Sequence, residues 1–348
     1  MAKAAIGQIC SSNSMTANLA QCVKLVGQAA NAGAKILFLP EASDYIGTSA
    51  QESLSLARPV ASSPFVTGLQ AAAAQHSIAV HVGIHVPVAV KPTGSGITPN
   101  PVMPSIPQSS SEQAVSNSNT TSASSPSSTT KLYNRTIYIS PTGTLVPSAS
   151  YDKLHLFDYA SLRESASTQA GSRLIPPIPS PIGRLGSLIC FDLRFPEPAL
   201  HLTRAPHSHS TATATDNSSG PAQILLYPSA FTVPTGRAHW EVLLRSRAIE
   251  TQSYVIAAAQ AGAHNKGAAT PGKKPRVSYG HSMVVDPWGR VVLEMKGVRP
   301  DWDGERSEDA VEEGAVGELG VVDIDLGEWE RVREKMPLIR RTDVYPEV

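Results

Sequence analysis

Three residues with reactive side chains each lie at or just beyond the end of an apolar run. Cys190 ends the apolar part of LGSLICFDLRFPE, Glu41 closes the run ILFLPE, and Lys153 lies in YDKLHLFDY. A cysteine thiol is a strong nucleophile, a carboxylate can take its proton, and a lysine ammonium favours the thiolate and donates to a developing oxyanion. Together the three residue types predict hydrolysis of an acyl bond through a covalent thioester.

The position of each residue also has a simpler explanation. A cysteine at a strand end is more often a small buried hydrophobe, and a carboxylate after a strand is often a charge at a helix terminus. Lys153 could be an ordinary surface lysine at a strand end. Arg194, Pro196 and Glu197 mark a turn and a helix start just after Cys190, which places the thiol at the carboxyl end of a buried strand. The carboxyl ends of buried strands are where open α/β sheets build their sites. For Glu41, the edge of an apolar strand predicts a raised pKa, which suits a general base.

The elements that must position these residues alternate along the chain. Short apolar runs typical of strands alternate with longer segments of helical spacing, and strands covered by helices on both faces read as continuous apolar runs. The pattern therefore predicts an α/β layered fold. The predicted strands are AAIGQIC, AKILFLPE, IAVHVGIHV, LGSLICF, AQILLYPSA and SYVIAAAQA, and the predicted helices are 18–32, 63–76 and 239–250.

Two hairpins are predicted as well. SMVVDPWGRVVLEM is one, because its DPWG segment is a turn between two β-branched runs. The other pairs residues 84–87 with LYNRTIYISP, and residues 90–130 between them are rich in Ser, Thr, Asn and Pro. Such a segment buries too little apolar surface to offset its ordering entropy, so a long disordered loop is predicted there. Smaller polar or charged inserts are predicted at 205–220, 264–276 and 297–314.

The composition excludes several classes of protein. Lys plus Arg and Asp plus Glu both total 29, so the formal net charge is zero and no nucleic-acid partner is expected. The sequence has no uninterrupted run of about 18 apolar residues, the length that a membrane span needs, so no membrane span is predicted. The three cysteines, Cys10, Cys22 and Cys190, lie far apart and fit free thiols in a reducing compartment. The expectation is one domain over residues 1–348 in the cytoplasm, with a mitochondrial form left open.

The three motifs resemble the Glu-Lys-Cys triad of the nitrilase superfamily when they are taken in order. The later stretches YPSAFTVPTGRAHWEVLLRSRAIETQSYVIAAAQ (227–260) and SYGHSMVVDPWG (278–289) are similar to the Nit branch of that superfamily. Within the branch, RAIETQ and SYGHSMVVDPWG favour the deaminated glutathione amidase type over the omega-amidase type. The resemblance covers nearly the whole chain outside the inserts.

The resemblance implies a four-layer αββα sandwich that assembles into homodimers or higher homo-oligomers. It also implies an amidase for small-molecule amides, converting deaminated glutathione to 2-oxoglutarate and Cys-Gly as metabolite repair. A second glutamate should orient the lysine, and the matching position is Glu164. Arg194, Phe231 and Thr235 match positions near the family's substrate pocket, and Arg194 could pair with a substrate carboxylate. In the expected mechanism the Phe191 backbone N–H joins Lys153 at the oxyanion, and neither a metal nor an organic cofactor is needed.

Other interpretations stay open on the residues alone. From the same superfamily, the chain could be an omega-amidase, a carbamoylase or a nitrile hydrolase. From a different class, it could be a catalytically silent binding protein on the same fold, since fold alone does not establish activity. A papain-type cysteine hydrolase would take its base from His155, His239 or His281. A zinc site would draw on the histidines at 201, 207 and 209, whose spacing lacks the usual ligand pattern.

Overall fold

A computed structural model describes residues 1–90, 129–159, 162–204, 220–266, 275–304 and 310–346 of the chain. Its α-helices are α1 Met15–Asn31, α2 Ala50–Leu56, α3 Pro64–His76, α4 Glu164–Ser167, α5 Pro196–Thr203, α6 Val233–Thr251 and α7 Leu326–Lys335. Its strands are β1 Ala2–Gln8, β2 Ile36–Phe38, β3 Ala79–Val90, β4 Thr129–Ile139, β5 Tyr151–Asp152, β6 Asp158–Tyr159, β7 Leu162–Arg163, β8 Ile178–Ser180, β9 Gly183–Ser187, β10 Ile224–Leu226, β11 Tyr254–Ala257, β12 Ala261–Ala263, β13 Val277–Tyr279, β14 Met283–Val285, β15 Val291–Glu294 and β16 Glu318–Ile324.

The described strands form two six-stranded sheets of similar design, beside two small two-stranded sheets. The first sheet has the order β16-β1-β2-β3-β4-β5, and the second has the order β15-β14-β11-β10-β9-β8. In the first sheet β1, β2 and β3 run parallel, and in the second β9, β10 and β11 do. The remaining pairings in both sheets are antiparallel. Each sheet therefore offers the carboxyl ends of parallel strands, where side chains from loops can converge.

Three apolar clusters define the layers of the molecule. One lies between α1, α3 and the outer face of the first sheet, and includes Leu25, Phe65 and Val80. A second joins the inner faces of the two sheets, where Phe38 packs in the same cluster as Ile256. A third lies between the second sheet and α5 and α6, with Leu202, Leu244 and Val255 among its members. The order helix, sheet, sheet, helix is the four-layer αββα sandwich that the resemblance implies, so the predicted fold class is confirmed.

The helices begin where the sequence supplies caps. The Ser63 hydroxyl accepts a hydrogen bond from the Val66 N–H, and Pro64 occupies the first turn of α3, where its missing N–H costs nothing. Ser14 caps α1 in the same way through the Ala17 N–H. Both helices then turn an alanine- and leucine-rich face to the first sheet. These local signals explain why the predicted boundaries of α1 and α3 fall within a few residues of the observed ones.

The hairpins and the region around Cys190 show where prediction and structure agree or differ. β3 and β4 pair antiparallel over their whole lengths, as predicted, and β14 and β15 pair across a turn closed by the Gly289 N–H and the Asp286 carbonyl. The helix predicted at 239–250 is longer, because α6 already begins at Val233. The strand predicted through LGSLICF ends at Ser187. Residues 91–128, for which a disordered loop is predicted, lie outside the described residues.

Two expectations about inserts and membranes can be compared with the described part of the chain. Of the smaller predicted inserts, residues 205–219, 267–274 and 305–309 lie outside it. No helix in the described ranges is both long enough and apolar enough to cross a membrane.

Candidate active site

Glu41 follows β2 of the first sheet, and Gln260, which lies just beyond β11 of the second sheet, holds its backbone in place. The Gln260 side-chain amide donates to the carbonyls of Glu41 and Ala42 at 2.9 and 3.2 Å. Gly83 lets the neighbouring strand β3 lie close to the Glu41 backbone, since a Cβ at position 83 would lie 2.6 Å from the Glu41 Cα. The backbone of Glu41 is thus held between β3 and Gln260.

Lys153 follows β5 and is buried, with 2% of its surface exposed. Its Nζ donates to Glu41 Oε1 at 3.0 Å and to Glu164 Oε1 and Oε2 at 3.0 and 2.9 Å. A lysine ammonium has three N–H donors, so these contacts use all three. The structure therefore brings Lys153 together with both glutamates named from the sequence.

Glu164 is the first residue of the short helix α4, and its position is fixed by more than Lys153. The Phe157 backbone N–H donates to Glu164 Oε2 at 2.7 Å. The Asn134 side-chain amide, on β4, donates to Glu164 Oε1 at 3.2 Å and to Glu41 Oε1 at 2.6 Å. Sequence reasoning missed Asn134, because a polar residue in a strand is most simply explained as a solvent-facing position.

Cys190 begins a 3₁₀ turn over Cys190–Arg194, just beyond β9. Its φ is 48°, the left-handed region that a residue with a Cβ rarely adopts. Its backbone N–H donates to the Pro228 carbonyl at 3.0 Å, so that N–H already has an acceptor. The sharp turn directs the chain away from the sheet at this residue and exposes the thiol to the loops above the strand end.

Asp192 holds this turn and is completely buried. Its carboxylate accepts hydrogen bonds from the Ile189 N–H at 3.0 Å, from the Tyr151 hydroxyl at 2.7 Å and from the His155 N–H at 3.0 Å. The His155 ring Nδ1 contacts the same carboxylate at 2.7 Å. Asp192 thereby ties the residue before Cys190 to the residues on both sides of Lys153. The sequence indicated only a polar turn here, and the buried role of Asp192 was missed.

The charges of the site act on one another strongly. Burial raises the pKa of the Cys190 thiol, and the Glu41 charge raises it further, whereas the Lys153 charge lowers it. Burial also raises the pKa of Glu41, but the Lys153 charge and hydrogen bonds from Cys190, Lys153 and Asn134 outweigh it, so the net pKa lies below the ordinary value. Burial lowers the pKa of Lys153, and the charges of Glu164, Glu41 and Cys190 raise it well above its usual range.

These shifts correct one expectation drawn from the sequence and limit another. The pKa of Glu41 is lowered, not raised, because the apolar strand edge also brings the carboxylate against Lys153. Lys153 does favour the thiolate, but burial and the Glu41 charge have the larger effect on Cys190. At neutral pH the site therefore holds a neutral thiol beside an ionised carboxylate and an ammonium.

A cavity of about 420 Å³ opens above these residues. Glu41, Lys153, Cys190 and Glu164 lie among its lining residues. The other residues named from the sequence line it too, namely the oxyanion donor Phe191 and the substrate-pocket residues Arg194, Phe231 and Thr235. The lining also includes side chains that the sequence did not single out, among them His85, Asn134 and Arg276. The structure thus brings every residue of the predicted site to one cavity.

The contacts of the pocket residues limit what each can do. Arg194 Nη2 donates to His239 Nδ1 at 2.7 Å, while its Nε is buried without a partner among the described residues. Phe231 packs edge-on against Trp240, with ring centroids 4.8 Å apart. The Thr235 hydroxyl contacts that of Thr232 at 2.9 Å. The Arg194 fork therefore still has a donor to offer, whereas Phe231 forms a fixed apolar wall.

The histidines of a papain-type site are engaged elsewhere. His155 contacts Asp192 and stacks on Phe195 with ring centroids 3.7 Å apart, and His239 accepts from Arg194. His281 contacts the Glu294 carboxylate at 3.1 Å. None of these three lines the cavity at Cys190. Of the histidines considered for zinc, those at 207 and 209 lie outside the described residues.

Comparisons with known proteins agree with this geometry. A family model described as carbon-nitrogen hydrolase matches residues 3–94 and 114–334. The probable hydrolase nit2 of Schizosaccharomyces pombe is 36% identical over 100% of both chains. The deaminated glutathione amidase of Mus musculus is 34% identical over 98% of this chain and 84% of that protein. The crystal structure of the C. elegans NitFhit protein, 32% identical, superposes with a TM-score of 0.70 over 99% of this chain and 67% of that one. The chain belongs to the carbon-nitrogen hydrolase family.

Proposed function

We propose that this protein is an amidase that cleaves a carbon-nitrogen bond through a thioester on Cys190, with deaminated glutathione as its substrate. The observation that carries the proposal is the contact set at the floor of the cavity. There Glu41, Lys153 and Cys190 line the same cavity, and Lys153 contacts both Glu41 and Glu164. The substrate identity is supported by the 34% identity to the deaminated glutathione amidase of Mus musculus.

The first step is attack on the amide carbonyl. Because the thiol is neutral and Glu41 is ionised, the Sγ–H proton passes to the Glu41 carboxylate as the bond from Sγ to the carbonyl carbon forms. The carbonyl oxygen becomes an oxyanion. In this proposal the Phe191 backbone N–H, one residue beyond the nucleophile, donates to it, and Lys153 supplies positive charge.

Lys153 can reach the oxyanion only by releasing a carboxylate, since its three N–H groups are all engaged. Protonation of Glu41 removes the negative charge that holds one of these N–H groups. That group then turns to the oxyanion at the moment when the charge moves there. Glu164 keeps its two contacts to Nζ and prevents the ammonium from leaving the site.

The remaining steps return the proton and release the products. Glu41 gives its proton to the leaving nitrogen as the C–N bond breaks, which leaves a thioester on Cys190 and a free amine. Water then enters, Glu41 takes one of its protons, and the hydroxide attacks the thioester carbon. The C–S bond breaks, the Cys190 sulfur takes the proton back from Glu41, and a carboxylic acid leaves. No net charge is created in the cavity over the cycle.

The charge around the cavity supports an anionic substrate. His85, Arg194 and Arg276 line the cavity, and the Asp44 carboxylate holds His85 through its backbone N–H at 2.8 Å and its Nδ1 at 3.1 Å. Burial lowers the pKa of His85, but the charge of Asp44 and its hydrogen bond raise it above the ordinary value. Deaminated glutathione carries carboxylates at both ends, which cationic side chains can bind.

A panel of amides with mass-spectrometric product detection tests the function. Deaminated glutathione should be cleaved to 2-oxoglutarate and Cys-Gly with a higher kcat/KM than alpha-ketoglutaramate, a neutral aliphatic amide, a carbamoyl amide or a nitrile. Preference for alpha-ketoglutaramate would instead show an omega-amidase. Cleavage of none of the five, by folded protein, would contradict an amidase for this substrate class and favour a silent binding protein.

Arg194 should contribute to binding of the anionic substrate more than to chemistry. Arg194→Gln is expected to raise KM for deaminated glutathione by roughly tenfold or more, the range for one hydrogen bond to a charged group, with a smaller change in kcat. KM for the neutral amide should not change. The control is Arg245→Gln, which removes an exposed arginine from α6. Equal effects on the charged and neutral amides would show that Arg194 acts only on the shape of the cavity.

A further inference from the structure

Asn134 contacts both carboxylates of the site and has no role in the mechanism above. It lies on β4, 4% exposed, and its Nδ2 reaches Glu41 Oε1 at 2.6 Å and Glu164 Oε1 at 3.2 Å. An amide nitrogen carries two hydrogens, one for each carboxylate. The two negative charges are therefore bridged twice, once by the Lys153 ammonium and once by a neutral amide.

The hydrogen bonds that Lys153 and Asn134 donate to the Glu41 carboxylate are both accepted by one oxygen. Lys153 and Asn134 both donate to Oε1, at 3.0 and 2.6 Å. Hydrogen bonds to a carboxylate oxygen make that oxygen less basic, so the oxygen left for the thiol proton is Oε2. Asn134 also restrains rotation of the carboxylate, because a turn about its axis would break the shorter of the two contacts.

The backbone of β4 makes the arrangement rigid. The Lys153 N–H donates to the Asn134 carbonyl at 2.9 Å, so the two residues that hold Glu41 are hydrogen-bonded to each other. On the other side, Asn134 is paired across the sheet with His85 of β3. A residue on a paired strand is positioned more accurately than one on a loop.

The chemistry explains why the second donor is an amide. A second ammonium would lower the basicity of Glu41 further, since a nearby cation favours the ionised carboxylate. An aspartate could not donate at all when ionised. The Asn134 Oδ1 has no partner among the described residues although it is buried, which is unfavourable for stability. The residue is thus suited to donating to the carboxylates and poorly suited to stabilising the core.

We infer that Asn134 is a positioning residue for the proposed reaction, which holds Glu41 and Glu164 together and caps Oε1 of Glu41 so that Oε2 takes the proton from Cys190. The inference rests on the proposed roles of Glu41 and Cys190. It assigns no contact between Asn134 and the substrate, so its effects should appear in the proton transfer and not in substrate affinity.

The test compares Asn134→Leu with Thr136→Val in the full chain. Thr136 is buried two residues further along β4 on the same face, and its hydroxyl has no partner among the described residues. Asn134→Leu should lower kcat on the order of 10- to 100-fold, the range for one hydrogen bond to a charged group, with KM within about threefold. Thr136→Val should change neither.

The pH profile separates positioning from packing. A hydrogen bond from Asn134 is one of the causes that lower the pKa of Glu41, so its loss should move the acidic limb of kcat/KM to higher pH. The charged groups around Glu41, namely Lys153, Glu164 and His85, stay in place in this variant. An unchanged acidic limb with kcat within threefold of wild type would overturn the inference, and so would a Thr136→Val variant with the same loss and shift.

A second variant and a second readout guard against misfolding and against a wrong substrate. Asn134→Asp nearly keeps the shape but loses the donor and adds charge, so it should move the acidic limb in the same direction. Alkylation of Cys190 by iodoacetamide, followed on the Cys190 peptide by mass spectrometry, needs no amide turnover. In one outcome the wild type cleaves no amide, but the Asn134 variants are alkylated more slowly and the acidic limb of their alkylation profile moves to higher pH. The proposed function then fails and the positioning role stands. If amides are cleaved and neither variant shifts either limb, the positioning role fails.

Discussion

Cys190→Ala should lower kcat/KM for the cleaved amide by about 10⁴-fold or more, because no other thiol lines the cavity in the described residues and nothing else there can form the thioester. Cys190→Ser should fall almost as far, since a serine hydroxyl has a much higher pKa than a thiol and Glu41, whose pKa is lowered, is a weak base for it. Initial rates by product mass spectrometry and circular dichroism of both variants give the measurement.

Cys10→Ala is the matched control for the loss of a thiol. Cys10 is partly buried and lies in a separate cleft with Asn13, Asn265 and Lys266. Its removal should leave kcat/KM within about twofold of wild type, the usual small effect of a change away from the reacting atoms. If Cys190→Ala keeps a tenth of the wild-type rate, Cys190 is not the nucleophile and the thioester mechanism is wrong.

Lys153→Met and Glu41→Gln should each reduce amide turnover by roughly 10³-fold or more, and they should do so with opposite effects on Cys190. The Lys153 charge lowers the pKa of the thiol, so its removal should raise that pKa. The Glu41 charge raises the pKa of the thiol, so Glu41→Gln should lower it. The alkaline rise in iodoacetamide alkylation, where the Cys190 thiol itself ionises, should therefore move to higher pH in Lys153→Met and to lower pH in Glu41→Gln.

Intact-protein mass spectrometry after mixing with substrate distinguishes the two variants further. Glu41→Gln keeps the oxyanion contacts but lacks the base for thioester hydrolysis, so a covalent adduct should accumulate if any acylation occurs. Lys153→Met should show no adduct. Lys131→Met is the control, because Lys131 is half-buried on β4, donates to the Ser165 carbonyl at 2.7 Å and is not among the residues that line the cavity in the described part of the chain. An adduct on Lys153→Met together with free turnover by Glu41→Gln would mean that the roles are reversed.

Lys153→Met also has a cost in stability that must be measured beside its rate. It leaves the buried Glu41 carboxylate and the partly exposed Glu164 carboxylate without a cation, and removing one partner of a buried ion pair typically costs about 3–5 kcal/mol. A thermal melt shows whether the variant is folded at the assay temperature. The alkylation and adduct measurements apply to the folded fraction.

The reactive residues of the site could be predicted because each lies in a short motif at a strand end. Taken singly, Glu41, Lys153 and Cys190 each have a simpler explanation, but in this order their motifs resemble the Glu-Lys-Cys triad, and strand ends in α/β folds lie at one edge of a sheet. Glu164 followed only from the family resemblance, because nothing in SLRES distinguishes it from a surface glutamate. The layered fold followed from the alternation of apolar runs and helical segments, which local residue preferences determine.

The supporting residues could not be predicted in the same way, because their roles depend on contacts between distant parts of the chain. Asn134 reaches Glu41 across 93 positions, and Gln260 reaches it across 219. Asp192 looks like a turn residue in sequence and is a buried acceptor of four hydrogen bonds in the structure. The pKa of Glu41 was predicted in the wrong direction for the same reason, since its sign depends on the distance to Lys153.

The neutral state of the Cys190 thiol has a consequence for how long the proposed enzyme lasts in the cell. Peroxides and other oxidants attack the thiolate and act most readily on exposed sulfur, whereas Cys190 is buried and its pKa is raised. The sulfur becomes strongly nucleophilic only while its proton is on Glu41, which happens when a carbonyl is in place to be attacked. Between turnovers the catalyst is therefore poorly oxidisable, and oxidative stress should inactivate it far more slowly than enzymes that keep a resting thiolate.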